Sequence, residues 1–185
     1  MTYRRLTRCR RALVLIGLVA ALVSACGRGE AASQAPEGAM GLLLVAQDER
    51  TAAPAITGDG LTGGSISILD YPGKLVVLNA FASWCTPCQR ELPILVAAQK
   101  AYPNVQFVGL DVKDNDEAAL GFLAAEGATY PVIKDPAGDL LAQFTMNPTR
   151  GLPVTFFIDE QGKLAGRILG EVTTDNLETA LKSFM

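Results

Sequence analysis

The order of apolar segments along this sequence predicts an α/β fold in which helices flank a mixed central sheet. Two observations support this class: apolar runs of strand length alternate with segments of helical spacing, and the last two strands are separated only by a short turn. The 185 residues, 49% of them hydrophobic, suffice for one domain with a sizeable core. No second domain is needed to account for the length.

The strands are predicted from apolar runs bounded by turn residues, at positions 38–46, 74–81, 105–112, 130–134, 154–159 and 163–169. KLVVLNAF at 74–81 is continuously apolar, as in a strand buried on both faces, so we expect it at the centre of the sheet. Gly162 lies in the turn between the last two runs, which predicts a hairpin. The segment 38–46 is too short to span a bilayer and is expected to form an edge strand.

Helices are predicted where apolar residues recur at helical spacing, at positions 86–102, 115–126, 137–144 and 174–184. The first is closed by Pro103, and the second ends at Gly127, a residue typical of helix C-termini. Because strands and helices alternate before the final hairpin, we expect helices on both faces of the sheet.

Residues 1–25 have the features of an export signal. Five arginines and no acid occupy the first eleven residues, and the apolar run at 12–25 is shorter than the roughly 20 residues of a spanning helix. The run ends in VSAC, which resembles a bacterial lipobox and makes Cys26 the lipid-carrying cysteine of a membrane-anchored protein. Ordinary cleavage after Ala25 and retention as an uncleaved anchor stay open, as does Sec or Tat export.

Residues 26–49 are then a lipidated N-terminus, a small polar tether and the edge segment, and residues 50–185 are the folded domain. The exported part is acidic, since removal of the first eleven residues leaves 11 basic residues against 19 acidic ones. This balance argues against a nucleic-acid partner, whose phosphates would repel the surface.

The segment FASWCTPCQRE at 81–91 places Cys85 and Cys88 three positions apart. Such a pair can be half of a zinc site, but the chain has no histidine and its other cysteines are Cys9 and Cys26. A disulfide across two residues would stabilise a fold very little, because it restricts almost no chain entropy. Redox exchange is therefore the favoured function of the pair, ahead of metal binding.

The predicted helix start supplies the reactive sulfur. If the helix begins near Cys85 or Thr86, the Cys85 sulfur faces unpaired N–H groups and the positive end of the helix dipole, which favour its thiolate. Pro87 fits the first turn, where a missing N–H has no consequence. Cys85 is then the attacking cysteine, and Cys88, one turn further along, is the shielded cysteine that resolves a mixed disulfide.

These residues resemble a known family. WCTPC after a buried strand, Pro93 and GLPVTFFID at 151–159 resemble the thioredoxin fold over roughly residues 50–185. Asn79, Glu91 and the helix-bearing insert at 112–147, which precedes the predicted cis-proline strand, resemble the membrane-anchored, extracytoplasmic thiol-disulfide oxidoreductases of the TlpA and ResA type.

The resemblance assigns expected roles to several residues. Pro153 matches a cis-proline beside the cysteine pair, with an ordinary strand-leading proline as the alternative. Glu91 matches a glutamate that influences the cysteine titrations, and a solvated carboxylate is equally consistent. Asn79 replaces the buried aspartate of cytosolic thioredoxins and cannot take a proton. Trp84 is expected to shield the disulfide and join a docking surface, or else to be a core aromatic.

The resemblance implies an enzyme without a cofactor that reduces disulfides of exported proteins, with apocytochrome c as a candidate substrate and an integral membrane thiol carrier as electron donor. Two alternatives remain: an oxidase that installs disulfides, and a lipid-tethered module that binds metal through the cysteine pair. Peroxidase activity is disfavoured, because Ala82 stands three residues before Cys85, where the peroxidatic motif has threonine or serine.

Overall fold

The computed structural model describes residues 41–147 and 151–185. The strands within them are β1 Leu42–Leu44, β2 Thr57–Asp59, β3 Ser65–Ser67, β4 Val76–Phe81, β5 Gln106–Val112, β6 Val132–Asp135, β7 Val154–Ile158 and β8 Leu164–Leu169. The α-helices are α1 Thr86–Ala101, α2 Asp116–Glu126 and α3 Thr174–Phe184. Short 3-10 helices cover Gln47–Glu49, Ile68–Asp70 and Leu141–Gln143. The predicted export signal and Cys26 lie outside the described residues.

Six of the described strands form one mixed sheet in the order β1-β8-β7-β4-β5-β6, with β4 in its interior as predicted. β4 runs parallel to β5, where Val77 pairs with Phe107, and antiparallel to β7, where Val77 pairs with Phe157. Every residue of β4 is buried, which explains its continuous apolar run. β7 and β8 form the predicted hairpin.

All three described α-helices contribute buried side chains to one face of the sheet. Leu92 and Leu95 of α1, Leu123 of α2 and Leu177 of α3 belong to a single core cluster. The crossovers β4-α1-β5 and β5-α2-β6 advance in the same direction across the sheet. Because such crossovers are right-handed, they place both helices on the same face.

The opposite face is covered by two 3-10 helices and no described α-helix, so the helices expected on this face are present only as short 3-10 turns. Ile68 and Leu141 of two 3-10 helices, together with Ile56 before β2, pack there against Leu78 and Phe156. β2 and β3 form an antiparallel hairpin between Ile56 and Ile68, which was not predicted from the sequence. Its strands have three residues each, too few to show a periodic pattern.

The helix predicted at 137–144 is reduced to the 3-10 helix Leu141–Gln143. Gly138 has a φ of 81°, which turns the chain within the predicted segment. The Asp135 carboxylate then accepts the N–H groups of Leu140 at 3.1 Å and Leu141 at 2.9 Å. These contacts hold the start of the short helix, and Phe144 ends it with an extended backbone, φ −83° and ψ 100°.

The segment before β2 is tied to the C-terminal half of the domain. β1 pairs antiparallel with β8 at the edge of the sheet, as predicted. Nη1 of Arg50 lies 3.1 Å from Oδ2 of Asp159 in a nearly buried ion pair, and its guanidinium lies 5.3 Å from the ring centroid of Phe184. No helix in the described part of the chain is long and apolar enough to cross a membrane.

We expect Arg50→Ala to lower the free energy of unfolding by about 2 kcal/mol, because it leaves the Asp159 carboxylate buried without its cation. Urea unfolding measures the change. The matched control is Lys182→Ala, which removes an exposed pair with Glu178 on α3 and should leave the free energy of unfolding unchanged within the error of the measurement. Equal effects of the two substitutions would show that the Arg50 contacts contribute no more than a surface pair.

Candidate active site

The two predicted cysteines lie where β4 passes into α1. Cys85 caps the helix, and its Sγ accepts the backbone N–H of Cys88 at 3.3 Å. The two sulfurs are bonded to each other, with an S–S distance of 2.07 Å. Pro87 lies in the first turn, as expected. After reduction, the same N–H group and the helix dipole face the Cys85 sulfur and favour its thiolate.

Exposure differs sharply across this segment. Cys85 is 5% exposed and Cys88 is 1% exposed, so the sulfurs are shielded from bulk water. Trp84 is 61% exposed, and its Nε1 donates to the backbone oxygen of Lys113 at 3.1 Å. The core-aromatic alternative for Trp84 is therefore wrong. Its indole is held on the surface next to Cys85.

Pro153 lies at the same end of the sheet as the cysteines. The peptide bond between Leu152 and Pro153 is cis, as the resemblance implied, so an ordinary trans proline is excluded. Val154, the next residue, pairs with Ala80 near the end of β4. The register therefore places Pro153 beside the loop that leads from β4 to Cys85.

Glu91 is buried beneath the helix start. It is 1% exposed, so the alternative of a solvated carboxylate is wrong. Its Oε1 accepts from Nδ2 of Asn79 at 2.7 Å, and its Oε2 accepts the backbone N–H of Val172 at 2.7 Å. The Asn79 amide also donates to the hydroxyl of Thr155 at 3.1 Å. Sequence reasoning missed Thr155, although a polar residue in the apolar strand VTFFI is a usable signal.

Burial raises the pKa of Glu91 from 4.5 to about 7, and the hydrogen bonds from Val172 and Asn79 only partly offset this effect. Near neutral pH the carboxyl therefore exists in both protonation states. Glu91 follows Cys88 by three positions on α1, so the two side chains share one face of the helix. A titratable carboxyl therefore lies one helical turn from Cys88.

A second set of contacts, also missed by sequence reasoning, holds the segment before Cys85. The Asp114 carboxylate accepts the backbone N–H of Ser83 and, at 2.9 Å, its hydroxyl. The side chain of Gln89 donates to the backbone oxygen of Ser83 at 2.8 Å. The usable signal was an aspartate shortly after a buried strand that neighbours the site. Within the residues described, no group of three or more metal-ligating side chains could hold a metal ion.

Comparison with other proteins supports the thioredoxin-like fold that the sequence predicted. The AhpC/TSA family matches residues 50–167. The thiol-disulfide oxidoreductase ResA of Bacillus thuringiensis (strain Al Hakam) is 33% identical over 132 residues, which make up 70% of this chain and 75% of the relative.

Two solved structures resemble the chain closely. A DsbF homologue from Corynebacterium diphtheriae superposes with a TM-score of 0.73 at 34% identity, covering 80% of this chain and 96% of that one. A secreted thiol-disulfide isomerase from Corynebacterium glutamicum gives a TM-score of 0.68 at 29% identity, covering 79% and 92%. These matches confirm the thioredoxin-like fold that the sequence predicted.

We expect the stability of the oxidised protein to fall as pH rises from about 4.5 to about 7, in part because of Glu91. The folded protein keeps a proton there that the unfolded chain has already lost, so unfolding becomes easier as pH increases. Glu91→Gln removes this contribution. Relative to the native protein, the variant should gain about 3 kcal/mol between pH 4.5 and pH 8.

Urea unfolding of both proteins across this pH range measures the difference. Glu178→Gln, which changes an exposed glutamate of α3, is the control and should show a constant difference from the native protein. If the native and Glu91→Gln curves stay parallel, Glu91 does not carry the proton.

Proposed function

We propose that this chain, which belongs to the AhpC/TSA family and within it to the thiol-disulfide oxidoreductases related to ResA, reduces disulfide bonds in exported proteins. The chain is a thiol-disulfide oxidoreductase with a bonded Cys85–Cys88 pair. The direction of the reaction, the substrates and the membrane anchor are the parts that we propose.

The observation that carries the direction is the buried carboxyl of Glu91. A strong oxidant of this fold owes its potential to a stabilised reduced form. A buried carboxylate close to the cysteines has the opposite effect, because its negative charge disfavours a neighbouring thiolate. The reduced pair therefore gains less from ionisation, and the couple is expected to have the low potential of a reductase.

The proposed reaction proceeds in two exchanges. The Cys85 thiolate attacks one sulfur of a substrate disulfide, so a Cys85–substrate bond forms and the other substrate sulfur leaves and takes up a proton. Cys88 then gives its proton to Glu91 and attacks Cys85. The second substrate sulfur leaves as a thiolate and takes up a proton, the substrate is reduced by two electrons, and the Cys85–Cys88 disulfide forms.

The surface around the sulfurs suits an extended substrate chain. Trp84 offers an exposed aromatic face next to Cys85, and Pro153 directly precedes β7 at the same end of the sheet. Apocytochrome c, with its two cysteines close in sequence, is the substrate that the resemblance to TlpA and ResA proteins suggests. An integral membrane thiol carrier would return the electrons.

A second candidate direction is disulfide formation or rearrangement, supported by the 29% identity to the secreted isomerase of Corynebacterium glutamicum. The equilibrium potential of the Cys85–Cys88 couple separates the two. The reductase is expected near about −270 mV, the value for thioredoxin, and an oxidant near about −120 mV, the value for DsbA. A measured potential close to the second value would overturn the proposed direction.

Cys88→Ala should retain the first exchange and lose the second, so it should accumulate mixed disulfides through Cys85. Insulin reduction should fall to background in this variant and in Cys85→Ala. Only the Cys88→Ala variant should be recovered bound to exported proteins in non-reducing gels. If Cys85→Ala captures the same partners, Cys85 is not the attacking residue.

Cys26→Ser tests the proposed lipid anchor. Because two acyl chains bind a membrane stably, the native protein should sediment with membranes and incorporate labelled palmitate. The variant should lose the label. Labelling of the native and variant proteins to the same extent would exclude Cys26 as the lipidated residue.

A further inference from the structure

The segment that leads to Cys85 is fixed by residues from outside its own loop. The backbone N–H and hydroxyl of Ser83 donate to Asp114, and its backbone oxygen accepts from Gln89. The neighbouring Trp84 indole donates to the backbone oxygen of Lys113. The turn after β5 therefore holds two consecutive residues directly before the attacking cysteine.

Asp114 is itself held in a defined orientation. Its Oδ1 accepts the N–H of Asn115 at 2.8 Å in addition to the hydroxyl of Ser83. Lys113 has a φ of 53°, which is a left-handed backbone conformation that residues other than glycine rarely adopt. This backbone conformation turns the chain after β5 so that the Asp114 carboxylate faces Ser83.

Asp111, the penultimate residue of β5, is a second aspartate in the same region as Asp114. It is 3% exposed, and its Oδ1 has no hydrogen-bond partner in the described part of the chain. Its carboxyl lines the same small cavity as the Asp114 carboxyl. Two ionised carboxylates can only accept, so a hydrogen bond between them requires a proton on one.

Asp111 is the residue that carries this proton. Burial, followed by the charge of Asp114, raises the pKa of Asp111 from 3.8 to about 7. Asp114, by contrast, already accepts groups that stabilise its negative charge. A protonated Asp111 can donate to the Asp114 carboxylate, which would give the pair an internal hydrogen bond.

Three other charged side chains surround the pair of Asp111 and Asp114, and within the described part of the chain none of them is a hydrogen-bond partner of either carboxyl. A cavity of about 150 Å³ is lined by both aspartates together with Asp59 of β2, Asp116 of α2 and Lys134 of β6. Lys134 is the strand neighbour of Asp111, but its Nζ lies 3.2 Å from Oδ2 of Asp116. The side chain of β4 that pairs with Asp111 is the apolar Phe81.

We propose that Asp114 and Asp111 are positioning residues for thiol–disulfide exchange: Asp114 orients the Ser83–Trp84 segment before Cys85, and Asp111 holds Asp114 by sharing one proton with it. The proposal deepens the proposed function and rests on Cys85 as the attacking sulfur. When Asp111 loses its proton as pH rises, two negative charges repel each other and the hold on Ser83 weakens. Exchange per Cys85 thiolate is therefore faster on the acid side of this titration.

The test uses the Cys88→Ala background, in which Cys85 is the reacting thiol of the site, and the small disulfide DTNB as probe. Alkylation by iodoacetamide gives the thiolate fraction at each pH, so the rate per thiolate can be compared from pH 5.5 to 9. Asp114→Asn and Ser83→Ala should each slow the rate per thiolate about tenfold, the effect of losing a hydrogen bond to a charged acceptor.

Two substitutions at Asp111 separate proton sharing from a merely structural role. Asp111→Asn keeps an N–H donor toward Asp114 at every pH, so it should match the native rate at pH 6 and exceed it above pH 8. Asp111→Ala has no donor and should be slow at both. Glu126→Gln, which changes an exposed carboxylate at the C-terminal end of α2, is the control and should leave the profile unchanged.

The proposal is overturned if Asp111→Asn retains the native pH profile, or if Asp114→Asn reacts at the native rate. Asp111→Asn is isosteric with the neutral acid and is expected to fold, so a failure of Asp111→Ala to fold does not remove the test. If Cys85 fails to react with DTNB in the Cys88→Ala protein that carries no further substitution, the proposed function itself fails. If it reacts normally and only the variants are indistinguishable, the positioning proposal alone fails.

Discussion

The pairing of β4 with β5 and β7 is the constraint on which the site depends. β4 is buried along its whole length and hydrogen-bonded on both sides, so its end has one fixed position. The chain that leaves it must turn at once into α1, and Cys85 caps that helix. Pro153 directly precedes β7, and Asp114 lies in the turn that follows β5. Each contributes to the site because its strand is held in register with β4.

Polar groups inside the helical side of the core are the second feature that links fold to chemistry. Asn79, Glu91 and Thr155 form a hydrogen-bonded set among apolar side chains, which satisfies groups whose burial would otherwise be unfavourable. Burial also raises the pKa values of Glu91 and Asp111 to about 7. Two buried carboxyls therefore titrate near neutral pH. Glu91 lies one helical turn after Cys88, and Asp111 lies in the strand that precedes Asp114.

Much of the fold could be predicted because its signals are local. A continuous apolar run identified β4, helical spacing identified α1, α2 and α3, and a glycine turn identified the final hairpin. The short elements were harder to predict. Three-residue strands and the truncated helix near Leu141 have too few residues for a periodic pattern, and the latter is bounded by the positive φ of Gly138 and the extended backbone of Phe144.

For the site, the sequence by itself determined the cysteine pair, the cap at the start of the helix and the residues that the resemblance assigned to it. Adjacent positions on one helix or turn need no tertiary information. Only the tertiary structure decided that Glu91 is buried against Asn79 and Val172, that Trp84 is exposed, and that Asp114 reaches Ser83. The reason is physical: burial and long-range hydrogen bonds depend on which strands become neighbours, and the pKa of a carboxyl depends on that burial.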